Sequence, residues 1–216
     1  MEKVKSYEEF LIENVFEQVK NEKELKKSAK QIVDKHYTER LSDGSNFRSF
    51  QKYYFEHLGN ITDFSKFKAA YSLQGNSKSD LEYLDSNKEK IKSLIVQGKL
   101  PEVYFSFFDN MNDSKKSYGS FFTKVVHAYR PKEYSPIDTP MKVGYFDNLK
   151  NESYFTSMVV ISAAFRKWAD ENRAKMEEMK KLLVAATPKE FGATVEKTTD
   201  IKVMNVIFWS IANLPK

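Results

Sequence analysis

Ser120-Phe-Phe-Thr-Lys-Val-Val-His-Ala-Tyr-Arg-Pro-Lys-Glu-Tyr-Ser-Pro-Ile-Asp-Thr-Pro-Met-Lys-Val143 reads as a buried helix, a proline-bounded loop and a second helix that starts on Asp138-Thr139-Pro140. The first turn of a helix leaves its backbone N–H donors unpaired, and proline at the first helical position sacrifices none of them. The junction can therefore aim a carboxylate, a hydroxyl and free N–H groups at one point. Helix, loop, capped helix is also the pattern of the chain on either side.

Ser6 can cap a helix carrying Phe10, Leu11, Val15, Phe16 and Val19, and a second helix runs from about 22 to 41 with Leu25, Ala29, Ile32 and Val33 inward. Residues 42–46 form a turn, a third helix from Phe47 to Leu58 stops at Gly59-Asn60, and a fourth spans about Thr62 to Tyr71. The loop at 73–79 divides an expected lobe 1–75 from a lobe 79–216. Ser86-Asn-Lys-Glu89 matches a capping box, and Gly98 ends the helix it would start. Val103–Phe108 has strand-like propensity, but no second alternating run exists to pair with it, so a helix is expected. One long helix is expected from Glu152 to Val184, apolar nearly all round in its first half and amphipathic in its second. Thr187-Pro188 repeats the cap-plus-proline start, and Thr199-Asp200 opens a last helix, Ile201 to Leu214. The expected fold is all-α.

The chain has 216 residues, enough for one domain with a substantial core. It contains no cysteine, so disulfides, thiolate catalysis, zinc–cysteine sites and iron–sulfur clusters are excluded together. No run approaches the roughly 18 apolar residues of a membrane-spanning helix, and the N-terminus lacks a signal-peptide core, so no membrane partner and a cytoplasmic location are expected. The 35 Lys and Arg against 30 Asp and Glu give a net charge of +5, a mixed and solvated surface rather than a strongly basic one. The basic surplus is local. Lys115, Lys116, Lys124, Arg130 and Lys132 are interleaved with Tyr118, Phe121, Phe122 and Tyr129.

Most catalytic templates fail on this sequence. His36, His57 and His127 lie in three separate expected helices, with no glycine-flanked serine beside any of them and no pair at ligand spacing. The seven glycines are scattered singly, so there is no phosphate loop or dinucleotide fingerprint. No metal and no cofactor are expected. His127 sits among Val125, Val126 and Tyr129, where it is either a half-buried residue with one backbone partner or a functional imidazole. Lys124 is either a snorkelling lysine or a nucleophile. Asp138, with Thr139, is either a helix cap or the catalytic carboxylate.

Pro136-Ile-Asp138-Thr139-Pro-Met-Lys142-Val143, after the apolar helix Phe121–Tyr129, resembles the Val-Asp-Thr-His-x-x-Arg-Val segment of helix-hairpin-helix DNA glycosylases of the endonuclease III type. The resemblance implies that Asp138 is the carboxylate facing the flipped nucleotide and that Lys142 is the basic residue one turn on. The segment departs from the family where Pro140 replaces histidine and where Asp113-Ser-Lys-Lys-Ser-Tyr-Gly119 stands in place of the glycine-rich hairpin. The family's lysine nucleophile aligns near Gly119-Ser120 and has no counterpart there, which implies a scaffold without lyase activity. Lys115, Lys116, Lys124, Arg130, Lys132 and Lys142 are the candidate nucleic-acid contacts, with His127, Thr139 and Tyr129 as further site candidates.

Three functions fit these features: a DNA-binding protein on a glycosylase-like scaffold, a non-catalytic module that binds another protein, and a monofunctional hydrolase using Asp138 on a glycosidic bond. Fold alone does not choose among them.

Overall fold

The computed structural model describes residues 5–20, 57–71, 77–109, 118–186 and 198–212. The expected helix at 22–41, the turn at 42–46, most of the helix at 47–58 and of the loop at 73–79, the Thr187-Pro188 start, His36, Lys115 and Lys116 lie outside the described residues. Among the described residues every regular element is helical and there is no strand.

Ser6 and Glu9 cap α1 (Tyr7–Lys20) reciprocally: the Glu9 N–H donates to Ser6 Oγ at 3.2 Å and the Ser6 N–H to Glu9 Oε2 at 2.8 Å. Leu11, Val15 and Val19 recur every fourth residue and, with Phe16, bury one face of α1 against a later helix, Tyr154–Glu171. Phe10, expected on that face, is 55% exposed. It sits one residue, about 100°, away from the Leu11–Val15 stripe. Polar contacts hold both ends of the crossing, from Tyr7 to Glu152 at 2.8 Å and from Gln18 to Asn148 at 3.2 Å.

α2 (Phe64–Ala70) is capped by Asp63, which accepts the Lys66 N–H at 2.8 Å. The expected capping box at Ser86–Glu89 is displaced. Ser86 ends α3 (Lys78–Ser86), its hydroxyl bonding back to the Glu82 carbonyl at 2.8 Å, and Asn87 starts α4 (Lys88–Val96) without a side-chain cap. The box lies one helix earlier, where Ser77 Oγ accepts the Asp80 N–H at 3.1 Å and Asp80 accepts the Ser77 N–H at 3.3 Å. Gly98, with φ 77°, turns the chain out of α4 in the left-handed region, and Pro101 stands in the first turn of α5 (Leu100–Phe107).

In α6 (Gly119–Tyr129) every residue from Phe121 to Ala128 is buried. Phe121 meets Phe64 and Phe67 with ring centroids at 5.9 and 5.8 Å, and Phe122 meets Tyr104 and Phe108 at 5.0 and 5.4 Å. Each such ring contributes about 1.5–3 kcal/mol through burial. A π-helix, Pro140–Tyr145, and a 3-10 turn, Asp147–Leu149, lead to α7 (Tyr154–Glu171).

The expected single helix from Glu152 to Val184 breaks at Asn172, giving α7 and α8 (Arg173–Ala186). Asn172 leaves helical geometry at ψ 43° and its Nδ2 donates to the Trp168 carbonyl at 2.9 Å, the competition with backbone bonding that asparagine is prone to. Arg173 and Lys180 then reach Asp200 at 2.6 and 2.5 Å, tying α8 to the start of α9 (Asp200–Ala212). Phe208 of α9 packs on Tyr145, Phe146 and Phe165, so the last helix closes over the π-helix and α7.

Candidate active site

α6 ends because Arg130 precedes Pro131, which disfavours helical geometry; Arg130 takes φ −132°, ψ 60°. The chain then runs as a loop to Asp138, and side chains from three helices grip its backbone. From α6, His127 Nδ1 donates to the Tyr134 carbonyl at 2.6 Å, Thr123 Oγ1 accepts the Ile137 N–H at 2.9 Å, and Ser120 Oγ donates to the Ile137 carbonyl at 3.0 Å. From α7, Ser162 Oγ accepts the Ser135 N–H at 2.8 Å, and from α9 Asn205 Nδ2 donates to the Pro136 carbonyl at 2.8 Å. Each bond is worth about 1 kcal/mol net, and together they fix where Asp138 stands.

The Asp138 carbonyl accepts the Lys142 N–H at 3.0 Å as the π-helix begins, and Thr139 makes no side-chain cap. The Asp138 carboxylate turns toward α6. Its Oδ1 pairs with Lys124 Nζ and lies 3.5 Å from Ser120 Oγ. Lys124 Nζ also donates to Ser120 Oγ at 2.9 Å. The Lys124 side chain is 3% exposed and that of Asp138 31%, so the amine lies beneath and the carboxylate faces outward. Burial pushes the Asp138 carboxyl up, but the Lys124 charge and hydrogen bond, the more distant Lys202 charge and Ser120 outweigh it and hold it below the usual carboxylate range.

Lys202 of α9 completes the cluster. It is 3% exposed and its Nζ donates to Asn205 Oδ1 at 3.1 Å. Burial, with Lys124 adding to it and Asp138 opposing, pushes the Lys202 amine down to about 7. His127 is wholly buried, and burial together with the Lys202 charge pushes it down to about 3, against the Tyr134 hydrogen bond. Because a carbonyl can only accept, the neutral ring carries its proton on Nδ1.

The remaining candidates disperse. Thr139 is exposed, its hydroxyl 2.6 Å from the Tyr154 hydroxyl beside Asp138. Lys142 is 7% exposed, donates to the Glu152 carbonyl and lies 4.9 Å over the Tyr154 ring; burial lowers its pKa, with Glu152 opposing. Arg130, at the far end of α6, forks onto Glu133 and covers Tyr134 at 5.4 Å, while Lys132 is exposed. Tyr129 is half-buried away from Asp138, its hydroxyl accepting the Ile61 N–H at 3.3 Å.

Sequence reasoning did not single out Ser120, Lys202, Asn205 or Tyr154. A signal existed for two of them: Lys202 and Asn205 interrupt an otherwise apolar helix at a spacing of one turn, where a solvated face is not available. Among the described residues no group of three His, Cys, Asp or Glu is placed to hold a metal ion. No protein-family profile, no curated protein and no solved structure matches this chain.

Proposed function

We propose that this is a DNA-facing protein on a glycosylase-like helical scaffold, in which Asp138 acts at a glycosidic bond. The observation that carries this reading is the posture of Asp138: anchored from beneath by Lys124, kept anionic, and open to solvent rather than spent as a helix cap. A carboxylate so held is suited to work beside a sugar cation. As the C1′–N bond breaks, its electron pair leaves with the base, and the fixed anion stabilises the positive sugar and takes a proton from the water that adds to C1′. The resemblance of Pro136–Val143 to the glycosylase segment supports DNA as the carrier of that bond.

The test is release of bases from a panel of duplexes with damaged or mismatched bases. Activity that Asp138→Asn abolishes, in protein shown by circular dichroism to remain folded at the assay temperature, supports the reading. Equal rates for the two proteins overturn it, and no DNA binding at low salt favours the protein-interaction module. Lys124 gives a specific second reading. Its amine comes to Ser120 Oγ at 2.9 Å, the neighbourhood where the family lysine aligns, so borohydride trapping of the protein on an abasic duplex would show lyase chemistry that the sequence alone argues against.

A further inference from the structure

Lys202 has no place in the glycosidic step as described, yet a lysine with 3% exposure in the last helix is an expensive feature to keep. Its amine donates to Asn205 Oδ1, and the same Asn205 amide donates from Nδ2 to the Pro136 carbonyl, two residues before Asp138. Asn205 Nδ2 also lies 3.2 Å from Met141 Sδ, on the π-helix that follows Asp138. Lys202 thus orients an amide that touches the backbone on one side of Asp138 and a side chain on the other. The charged and titratable groups facing it are Lys124 and His127 from α6 and Asp138 from the loop; Lys142 of the π-helix is turned away to Glu152.

We propose that Lys202 is a positioning residue of the Asp138 site, setting the place of the carboxylate through Asn205 and its charge through a second buried amine. The catalytic meaning of this rests on the reading of Asp138 as the working carboxylate. The cluster then holds one carboxylate against two amines, and His127 is excluded from the proton traffic by its own burial. Because the Lys202 amine titrates near 7, its contribution to the positive charge beneath Asp138 is present below that pH and fades above it, while the Lys124 pair stays in place. The site is therefore tuned across neutrality by a group that never meets the substrate.

The experiment compares wild type with Lys202→Met, which fills the same space without a charge, and with Lys202→Gln, a polar replacement should the methionine variant fail to fold. Carbon-13 NMR of the Asp138 carboxylate supplies a readout independent of any substrate. In either variant its titration should move upward by at least half a pH unit, and an unmoved carboxylate overturns the proposal even if activity is lost. In the base-release assay, the wild-type rate should rise severalfold as pH rises through about 7, because loss of the Lys202 charge leaves a more basic carboxylate and less repulsion of the cationic sugar, and the variants should lack that limb and sit near the wild type's alkaline rate. A retained limb in the variants also overturns it. If the carboxylate titration moves while no duplex is ever processed, the positioning role stands and the glycosidic reading is what fails.

Discussion

Gly119 lies against Tyr154 so closely that a Cβ on Gly119 would come within 2.7 Å of both Tyr154 Cβ and Cδ2. The first residue of α6 and the first residue of α7 therefore meet with only the Tyr154 side chain between them, next to Ser120 and to the Thr139–Tyr154 hydrogen bond. This contact sets the separation of the two helices at the end where Asp138 stands.

Gly119→Ala should accordingly destabilise the fold. In an open helix the change would gain up to about 1 kcal/mol in propensity. Here the obstructing atom is a Cβ, which cannot swing away, and overpacking of this kind costs about 1–3 kcal/mol. A net loss of about 1–2 kcal/mol by chemical denaturation is expected, with Tyr154→Gly in the same chain, which removes the obstructing Cβ, taking away most of the Gly119→Ala penalty. A stabilised Gly119→Ala protein would show that α6 and α7 can part freely.

The Lys124–Asp138 pair should respond asymmetrically to truncation. Asp138→Ala leaves a lysine that is 3% exposed without its counter-charge, whereas Lys124→Met leaves a carboxylate that is 31% exposed and can hydrate. Breaking a fully buried pair costs about 3–5 kcal/mol; with one partner near the surface, about 2–3 kcal/mol is expected for Asp138→Ala and about 1 kcal/mol for Lys124→Met. The double variant should cost less than the two added together. The folded carboxyl is held below its unfolded value, so the folded state binds its proton less readily. Its stabilisation is full above about pH 4 and is lost as pH falls further.

His127 gives a separate acid sensitivity. Its ring titrates at about 3 in the folded protein and near 6.5 when unfolded, so between those values the unfolded chain holds the extra proton. Stability should therefore decline as pH falls from about 6.5 toward 3, with a slope approaching 1.4 kcal/mol per pH unit from this residue. His127→Gln, which can still donate to the Tyr134 carbonyl, should flatten that slope in denaturation series run at fixed pH values. An unchanged slope would assign the acid sensitivity elsewhere.

The all-helical architecture was legible because caps and turn residues are local: Ser6 with Glu9, Gly98 and Pro101 act on their immediate neighbours. The same locality misled at Ser86, whose motif fits a capping box while Ser77 and Asp80 form it, because two adjoining helices offer the same spacing in two registers. Asn172 was overlooked as a break because lysine and glutamate on both sides favour helix equally well. Asp138 could be picked out from its helix-start context, but its partner could not. Whether Lys124 snorkels out or turns in depends on Ser120, the loop carbonyl of Ile137 and the distant α9, and no periodicity encodes that choice.

The geometry also moves the test of nucleic-acid binding from one lysine to another. Lys124, read from sequence as a phosphate contact, lies under Asp138, so Lys124→Glu would place two carboxylates together in the interior and unfold the protein rather than probe a surface. Lys132 is the informative position. It is exposed at the far end of α6, on the edge of a cleft of about 410 Å³ that it shares with Arg166, Arg173 and Lys180. Arg173 and Lys180 are paired there with Asp170 and Asp200, and Arg166 donates to the Glu133 carbonyl. A phosphate entering the cleft would thus draw chiefly on Lys132. If DNA docks at this end, Lys132→Ala should leave the melting temperature unchanged and lower the slope of log affinity against log salt by about 1, the loss of one released counterion, with Lys132→Glu weakening binding further. Wild-type slopes in both variants would place the DNA on another face, since a cation that contacts a phosphate cannot be removed without releasing one ion fewer.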